Sequence, residues 1–260
     1  MKKISLILGG GAARGMAHIG VIRRLEELDI CPVEIIGTSI GALVWAFLAL
    51  GYTSSEMTEM AKNISYLKLI DFDLRIWSLK WVKLMRYLEN HLGDKNFSDC
   101  TIPLKIIATD IDTGEKYIFS EGKILHAIRA SIGIPWIFTS YKHLWRSLVD
   151  GGLASNLPIE EAWADLSIIA VSVQIQLSRI KKIKRSRIFP NGTPIIHIYE
   201  AIRKTLAIIM AKNESISIAS RENVILIRPL REDIEYYEFS KSTEMIEAGY
   251  ESSLILNKIM

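Results

Sequence analysis

The chain has 260 residues, 49% of them hydrophobic, and a mean hydropathy of +0.21. That is enough for one large α/β domain or two small ones, and it excludes a disordered or fibrous chain. Two cysteines, Cys31 and Cys100, give neither a disulfide framework nor metal-ligand spacing, so a reducing compartment is expected. The net charge of +3 has one source: Arg179, Lys181, Lys182, Lys184, Arg185 and Arg187 sit within nine residues, and without them the chain would be net acidic. Such a run reads either as a solvated loop or as a contact for anionic phospholipid, worth about 1 kcal/mol per cation near the surface, or for nucleic acid.

Lys3 to Leu8 predicts a first strand. Its basic, apolar start imitates a secretion signal for a few residues, but Gly9-Gly10-Gly11 ends the apolar run too soon. The longest uncharged apolar run, Ile40 to Leu50, has the length of a core helix, so a soluble protein, at most peripheral to a membrane, is expected. Gly9-Gly10-Gly11-Ala12-Ala13-Arg14-Gly15 then opens a helix over about Met16 to Asp29, with Ala17, Val21, Ile22, Leu25 and Leu28 on one face and Arg23, Arg24, Glu26 and Glu27 on the other. A glycine loop after a first strand can cradle phosphate. Here Gly15 falls one residue late for a dinucleotide fingerprint, and no P-loop Lys-Ser/Thr follows. The other use of consecutive backbone N–H groups is an oxyanion hole, with Gly10 and Gly11 as donors. Arg14 either fixes the loop or adds positive potential for a phosphate headgroup.

The next segment is the centre of the reading. Pro32 to Ile36 predicts a strand, Gly37-Thr38-Ser39-Ile40-Gly41 a sharp corner, and Ile40 to Leu50 a buried helix. Gly37 and Gly41 allow tight packing on either side of Ser39, and the helix turns its positive end toward the serine oxygen. That suits a nucleophile.

Thr53 or Ser54 caps a helix to about Asn63. Trp77, Trp81, Leu84, Met85, Leu88 and Leu92 follow at helical spacing among Lys80, Lys83 and Arg86; this stripe reads as core, as an acyl-chain lid or as an interfacial helix. Ile102 to Thr109 and Lys116 to Ser120 predict a hairpin, with Asp110, Asp112 and Glu115 as turn residues rather than metal ligands. Gly122 to Ser131 predicts a helix broken near Gly133 and Pro135. Ser147 to Asp150 predicts a short strand ending at Asp150-Gly151-Gly152, followed by Asn156-Leu157-Pro158 and a helix through Trp163. Leu166 to Val173 predicts a buried strand. A long helix from about Pro194, a strand over Asn223 to Ile227 and a terminal helix from about Thr243 complete the chain, with no internal repeat and no second-domain linker.

A serine hydroxyl needs a neighbouring base. Only His197 lies after Asp150, and it sits within a helical pattern, so a Ser-acid-His triad is disfavoured. Asp150 itself can serve if burial raises its pKa and Gly151 and Gly152 let its backbone pack against the serine corner.

Four ordered motifs carry a resemblance: Gly9 to Gly15, Gly37 to Gly41, Ala130-Ser131-Ile132-Gly133-Ile134-Pro135-Trp136-Ile137-Phe138, and Asp150-Gly151-Gly152 with Asn156-Leu157-Pro158. Together they resemble the patatin-like phospholipases, specifically the short prokaryotic members related to the catalytic domain of neuropathy target esterase. The resemblance spans about Lys3 to Val173. It implies a three-layer α/β/α fold with a mainly parallel sheet, in one domain over residues 1–260 with 174–260 packed on the core. It also implies a Ser39–Asp150 dyad, a Gly10–Gly11 oxyanion hole with Arg14 beside it, and hydrolysis of phospholipid or lysophospholipid acyl esters without metal, cofactor or nucleic acid. A cytoplasmic protein is expected, peripheral to the inner membrane face through Arg179 to Arg187 or Trp77 and Trp81. Trp136 stands where the family has glycine, and Ser140-Tyr141 where it has proline, which bears on the acyl pocket rather than the dyad. The rival reading is a non-catalytic lipid-binding adaptor on the same fold.

Overall fold

The computed structural model describes residues 3–63, 71–73, 78–80, 82–135, 138–174, 194–229, 231, 233–236 and 238–259. Trp77, Trp81, Trp136, Ile137 and the basic run Arg179 to Arg187 lie outside the described residues.

An eight-stranded sheet organises the chain. Strands β1 (Ile4–Leu8), β2 (Pro32–Thr38), β5 (Leu104–Asp110), β9 (Ser167–Val171) and β10 (Val224–Ile227) run parallel in the order β10-β9-β1-β2-β5. β1 and β9 are almost continuously apolar and buried, as strands covered on both faces must be. Beyond β5 the sheet turns antiparallel, through β6 (Lys116–Phe119) on one path and β8 (Arg146–Asp150) then β7 (Tyr141–His143) on the other. The mainly parallel α/β sheet is the expected one.

Helix α1 (Ala17–Glu27) carries the expected apolar face, but its start differs: Ala12–Met16 is a 3-10 turn that leads the glycine loop into the helix. α2 (Ile40–Ala49) follows β2 directly, and α3 (Ser54–Asn63) begins where expected, with Thr53 and Glu56 bonding reciprocally at its start. The Trp-bearing stripe is corrected. Its helix, α4, covers Val82–Leu92, whereas Ser78–Lys80 (β4) pairs antiparallel with Asp71–Asp73 (β3), so strand pairing overrides the helical spacing there. Leu88 and Leu92 from α4 join the core. α5 (Ile124–Ser131) is as expected. The helix expected after Pro158 is instead a single 3-10 turn, Ile159–Glu161, preceded by the short α6 (Gly152–Ser155). The Ile159 side chain is buried in the second apolar cluster with Leu157 and Ile168, which fixes the turn without a helical face.

The C-terminal part is built into the body. α7 (Pro194–Ala219) leads to β10 on the sheet edge, and α8 (Ser242–Ser253) packs along α1. The two helices meet backbone to backbone: a Cβ on Gly20 would collide with Ile246 O, and one on Gly249 with Ala17 O. Only glycine permits this approach. Replacing Gly249 by Ala is expected to lower stability by about 3 kcal/mol or more, because both contacts are main-chain and neither can swing aside; a thermal or denaturant melt of the variant checks it.

Candidate active site

The site is at the carboxyl edge of the parallel strands, where β2 ends in Thr38 and α2 begins at Ile40. Ser39 sits between them at φ 56° and ψ −126°, a region that costs a non-glycine residue on the order of 1–3 kcal/mol. Close packing makes the corner possible. A Cβ on Gly37 would strike Ala42 and Trp45, and one on Gly41 would strike the carbonyl of Leu8. Ser39 is 8% exposed, at the end of a helix whose first N–H groups are unpaired by geometry.

Asp150 arrives from β8, which pairs antiparallel with β5 so that Asp150 stands opposite Ala108. Ser39 Oγ donates to Asp150 Oδ2 at 2.6 Å. The other carboxylate oxygen, Oδ1, accepts from the N–H of Gly152 at 2.8 Å. Thr109 Oγ1 donates to the Asp150 carbonyl at 2.8 Å. Burial pushes the Asp150 carboxyl up to about 6, against the pull of the Ser39 and Gly152 hydrogen bonds. Gly151 lies flat on Ile107, where a Cβ would meet the Ile107 carbonyl, and Gly152 leaves room for Met210 from α7 beside Asp150 Oδ1. The two sequence-selected side chains, 111 residues apart, therefore meet.

The glycine loop borders the serine. A Cβ on Gly10 would lie 3.0 Å from Ser39 Cβ, so the missing side chain is what lets the loop stand beside Ser39. Of the two expected donors, Gly10 N–H is directed to Asn156 O at 3.3 Å, while Gly11 N–H makes no hydrogen bond among the described residues. Ala12, the next residue, is held at φ 48°. Gly9 donates to Val171 O, and Gly15 packs against Ile40. Arg14 is buried, with Nε donating to Ile234 O at 2.7 Å and its guanidinium 4.2 Å from the Tyr236 ring centroid. These contacts fix the loop to Ile234 and Tyr236.

Several supporting residues were not singled out from the sequence. Ser131, at the end of α5, accepts from Ser39 N–H at 2.8 Å, donates through Oγ to Ile107 O at 2.6 Å, and accepts from Gly151 N–H through its carbonyl at 3.3 Å. One residue thus ties the serine corner, strand β5 and the acid's loop together. Asn156 Nδ2 reaches Gly10 O at 3.4 Å and Glu214 Oε2 at 3.3 Å. Glu214, from α7, is also held by Ser172 and Arg228, and burial pushes its carboxyl up. His18 donates from Nε2 to Gly9 O at 2.9 Å, and burial lowers it to about 4, so the ring is neutral. Ser131 and Asn156 lie within the quoted motifs, which was their only sequence signal. Glu214 and His18 had none. Among the described residues no histidine hydrogen-bonds to Ser39 or Asp150, and no group of three or more His, Cys, Asp or Glu side chains is arranged to hold a metal ion. No helix of the described residues is long and apolar enough to cross a membrane.

The model of the patatin-like phospholipase family matches residues 6–163, which contain every motif quoted above. A Mycobacterium bovis protein described as an uncharacterized NTE family protein is 36% identical over 178 residues, covering 66% of this chain and 49% of that one. Neuropathy target esterase of Drosophila persimilis is 32% identical over 168 residues, covering 60% of this chain and 11% of the esterase. The chain thus spans half or less of the length of these relatives. Among solved structures, VipD from Legionella pneumophila superimposes with a TM-score of 0.62 at 13% identity, covering 98% of this chain and 67% of VipD. The type III effector protein ExoU gives 0.51 at 12% identity, covering 99% and 53%. With more than half of its length matched by the family model, the chain belongs to the patatin-like phospholipase family.

Proposed function

We propose that the chain is a lipid acyl hydrolase that uses a Ser39–Asp150 dyad on phospholipid or lysophospholipid esters. The observation that carries this reading is the 2.6 Å hydrogen bond from Ser39 Oγ to Asp150 Oδ2 at a strained strand-to-helix corner. Family membership and the esterase among its relatives support the substrate class.

The chemistry follows from the contacts. Asp150 takes the Ser39 proton as the hydroxyl attacks the acyl carbonyl, and the lyso-lipid or alcohol leaves after receiving that proton. Water, deprotonated by the same carboxylate, then releases the fatty acid and restores Ser39. The oxyanion is assigned to the Gly11 N–H and the N-terminal end of α2, with Gly10 free to join only if its hydrogen bond to Asn156 O opens. A protein that only bound lipid would have no use for the unfavourable backbone at Ser39 or for a desolvated acid beside it.

Fatty-acid release from a panel of lysophospholipids, phospholipids and neutral esters, together with fluorophosphonate labelling, tests this. The parent chain is expected to label and turn over, and Ser39→Ala to do neither; strong labelling of Ser39→Ala would end the assignment.

Asp150 ties activity to pH. Its acid limb is expected near pH 6, since the carboxylate must be ionised to accept the proton. The stability effect has the opposite sign. A carboxyl with a raised native pKa binds more protons folded than unfolded, so its contribution falls as pH rises from the ordinary carboxylate range through about 6. Asp150→Asn should therefore abolish turnover yet melt higher than the parent at neutral pH, by on the order of 1–3 kcal/mol, and lose that advantage in acid. Parallel melts and rate profiles across pH check both signs.

Ser131→Ala removes the acceptor for Ser39 N–H inside a buried site, at a cost of about 1–3 kcal/mol. It should lower kcat more than it raises KM, because what is lost is the placement of the nucleophile. Steady-state kinetics on a soluble ester distinguish the two.

A further inference from the structure

The turn between β7 and β8 is two residues long, Leu144-Trp145, and these residues are 71% and 80% exposed. Two-residue hairpin turns favour Gly, Asn or Asp where φ is positive, yet Leu144 is at φ 53°. Neither side chain packs into either apolar cluster. Apart from the Arg146 guanidinium 5.9 Å from the Trp145 ring centroid, the tip puts both apolar surfaces in water.

The base of the hairpin, in contrast, is firmly held. Arg146 pairs with Asp110 at 2.8 Å, Lys142 bonds to Ser147, and His143 packs on Phe119 with ring centroids 5.2 Å apart. The tip is a wedge on a rigid support. Between Phe138 and Val149 the chain has Lys142, His143 and Arg146 and no carboxylate.

Strand direction sets where the wedge points. β5 runs parallel to β2 and passes its end, and β8 returns antiparallel along that overhang, from Leu148 opposite Asp110 down to Asp150 opposite Ala108. The tip therefore projects from the same edge of the sheet as Ser39 and Asp150, and Trp145 stands five residues, about 17 Å, up the strand from Asp150. A surface that received the tip would face the dyad.

We propose that Leu144 and Trp145 form an interfacial anchor that inserts into an anionic phospholipid surface and seats the dyad edge against the lipid. A Leu-Trp pair with a lysine beside it has the composition of a membrane-interface element: the indole and the leucine enter the acyl boundary while Lys142, whose ammonium has donors beyond the one given to Ser147, meets the phosphates. The orienting role rests on the hydrolase reading; the binding does not.

The test uses the full chain carrying Ser39→Ala, so that no lipid is consumed, with sedimentation on mixed phosphatidylglycerol and phosphatidylcholine vesicles. Leu144→Asn with Trp145→Ser, which relieves the backbone at 144 and leaves the Arg146–Asp110, Lys142–Ser147 and His143–Phe119 contacts in place, should lower partitioning about tenfold or more. Trp145→Ser alone should give a smaller loss, together with reduced tryptophan quenching by brominated lipid. In the chain with Ser39 intact, hydrolysis of vesicle phospholipid should fall by a similar factor while hydrolysis of a short soluble ester is unchanged. Unaltered partitioning of the double variant overturns the proposal. So does a change in sedimentation coefficient without loss of vesicle binding, which would make a second copy of the chain the occupant. Tip-dependent binding by a chain that releases no fatty acid would leave the anchor standing and remove the hydrolase reading alone.

Discussion

A serine backbone at φ 56° relaxes unless its neighbours forbid it, and much of this structure is arranged so that they do. The N–H of Ser39 is held by Ser131 Oγ, whose own proton is held by the Ile107 carbonyl of the adjacent strand. On the other side, α2 lies so close to the end of β1 that only a glycine fits at position 41. Release of the corner would mean breaking buried hydrogen bonds and separating packed backbone at once. The hydroxyl direction is thus set by main-chain geometry and does not depend on one rotamer of a mobile side chain.

The acid is held by the opposite device. Ser39 comes at the end of a parallel strand, whereas Asp150 comes from an antiparallel one entering beyond β5. The change of direction lets β8 approach the edge from outside and deliver a carboxylate into a space already closed by Thr109, Gly151 and α6. Desolvation then raises its proton affinity, and the Gly152 N–H and Ser39 hydroxyl offset part of that cost. A carboxyl with a value near 6 is a far better proton acceptor than an exposed aspartate and is still ionised at neutral pH. The neutral, buried His18 shows that the same interior does not charge an imidazole; it uses one as a fixed donor to the Gly9 carbonyl.

How much of this was legible in the sequence depends on whether a role is local. Ser39 was legible because the strand, the two glycines and the apolar helix around it are contiguous, and Asp150 because an acid before two glycines ends a short apolar strand. The glycine loop was legible as a set of small backbone donors beside the serine corner, but which N–H is engaged was not: Gly10 donates to an Asn156 carbonyl 146 residues away. Ser131 looked like any polar residue at a helix end, since its value comes from what β2 and β5 bring to it. The helical spacing across 77–92 misled at its start because periodicity alone does not reveal that 78–80 finds a strand partner in 71–73. β7 was missed because Tyr-Lys-His carries almost no strand pattern and exists through its pairing with β8.

The family model ends at residue 163, but the physical site does not. Asn156, fully buried between the glycine loop and α7, takes one of its contacts from Glu214, and that carboxylate is in turn held by Ser172 and Arg228. Met210 covers the Gly152 side of Asp150. β10 closes the edge of β9 that would otherwise offer a row of unpaired backbone groups. α8, through Gly249, lies against the helix that the glycine loop opens, and Arg14 ties that loop to Ile234 and Tyr236. Remove these segments and the Asn156 amide, the acid and the loop each lose a support. The motifs of the first part of the chain therefore carry the proposed chemistry, and the part after Val173 supplies the rigidity and the low-polarity surroundings that such chemistry requires.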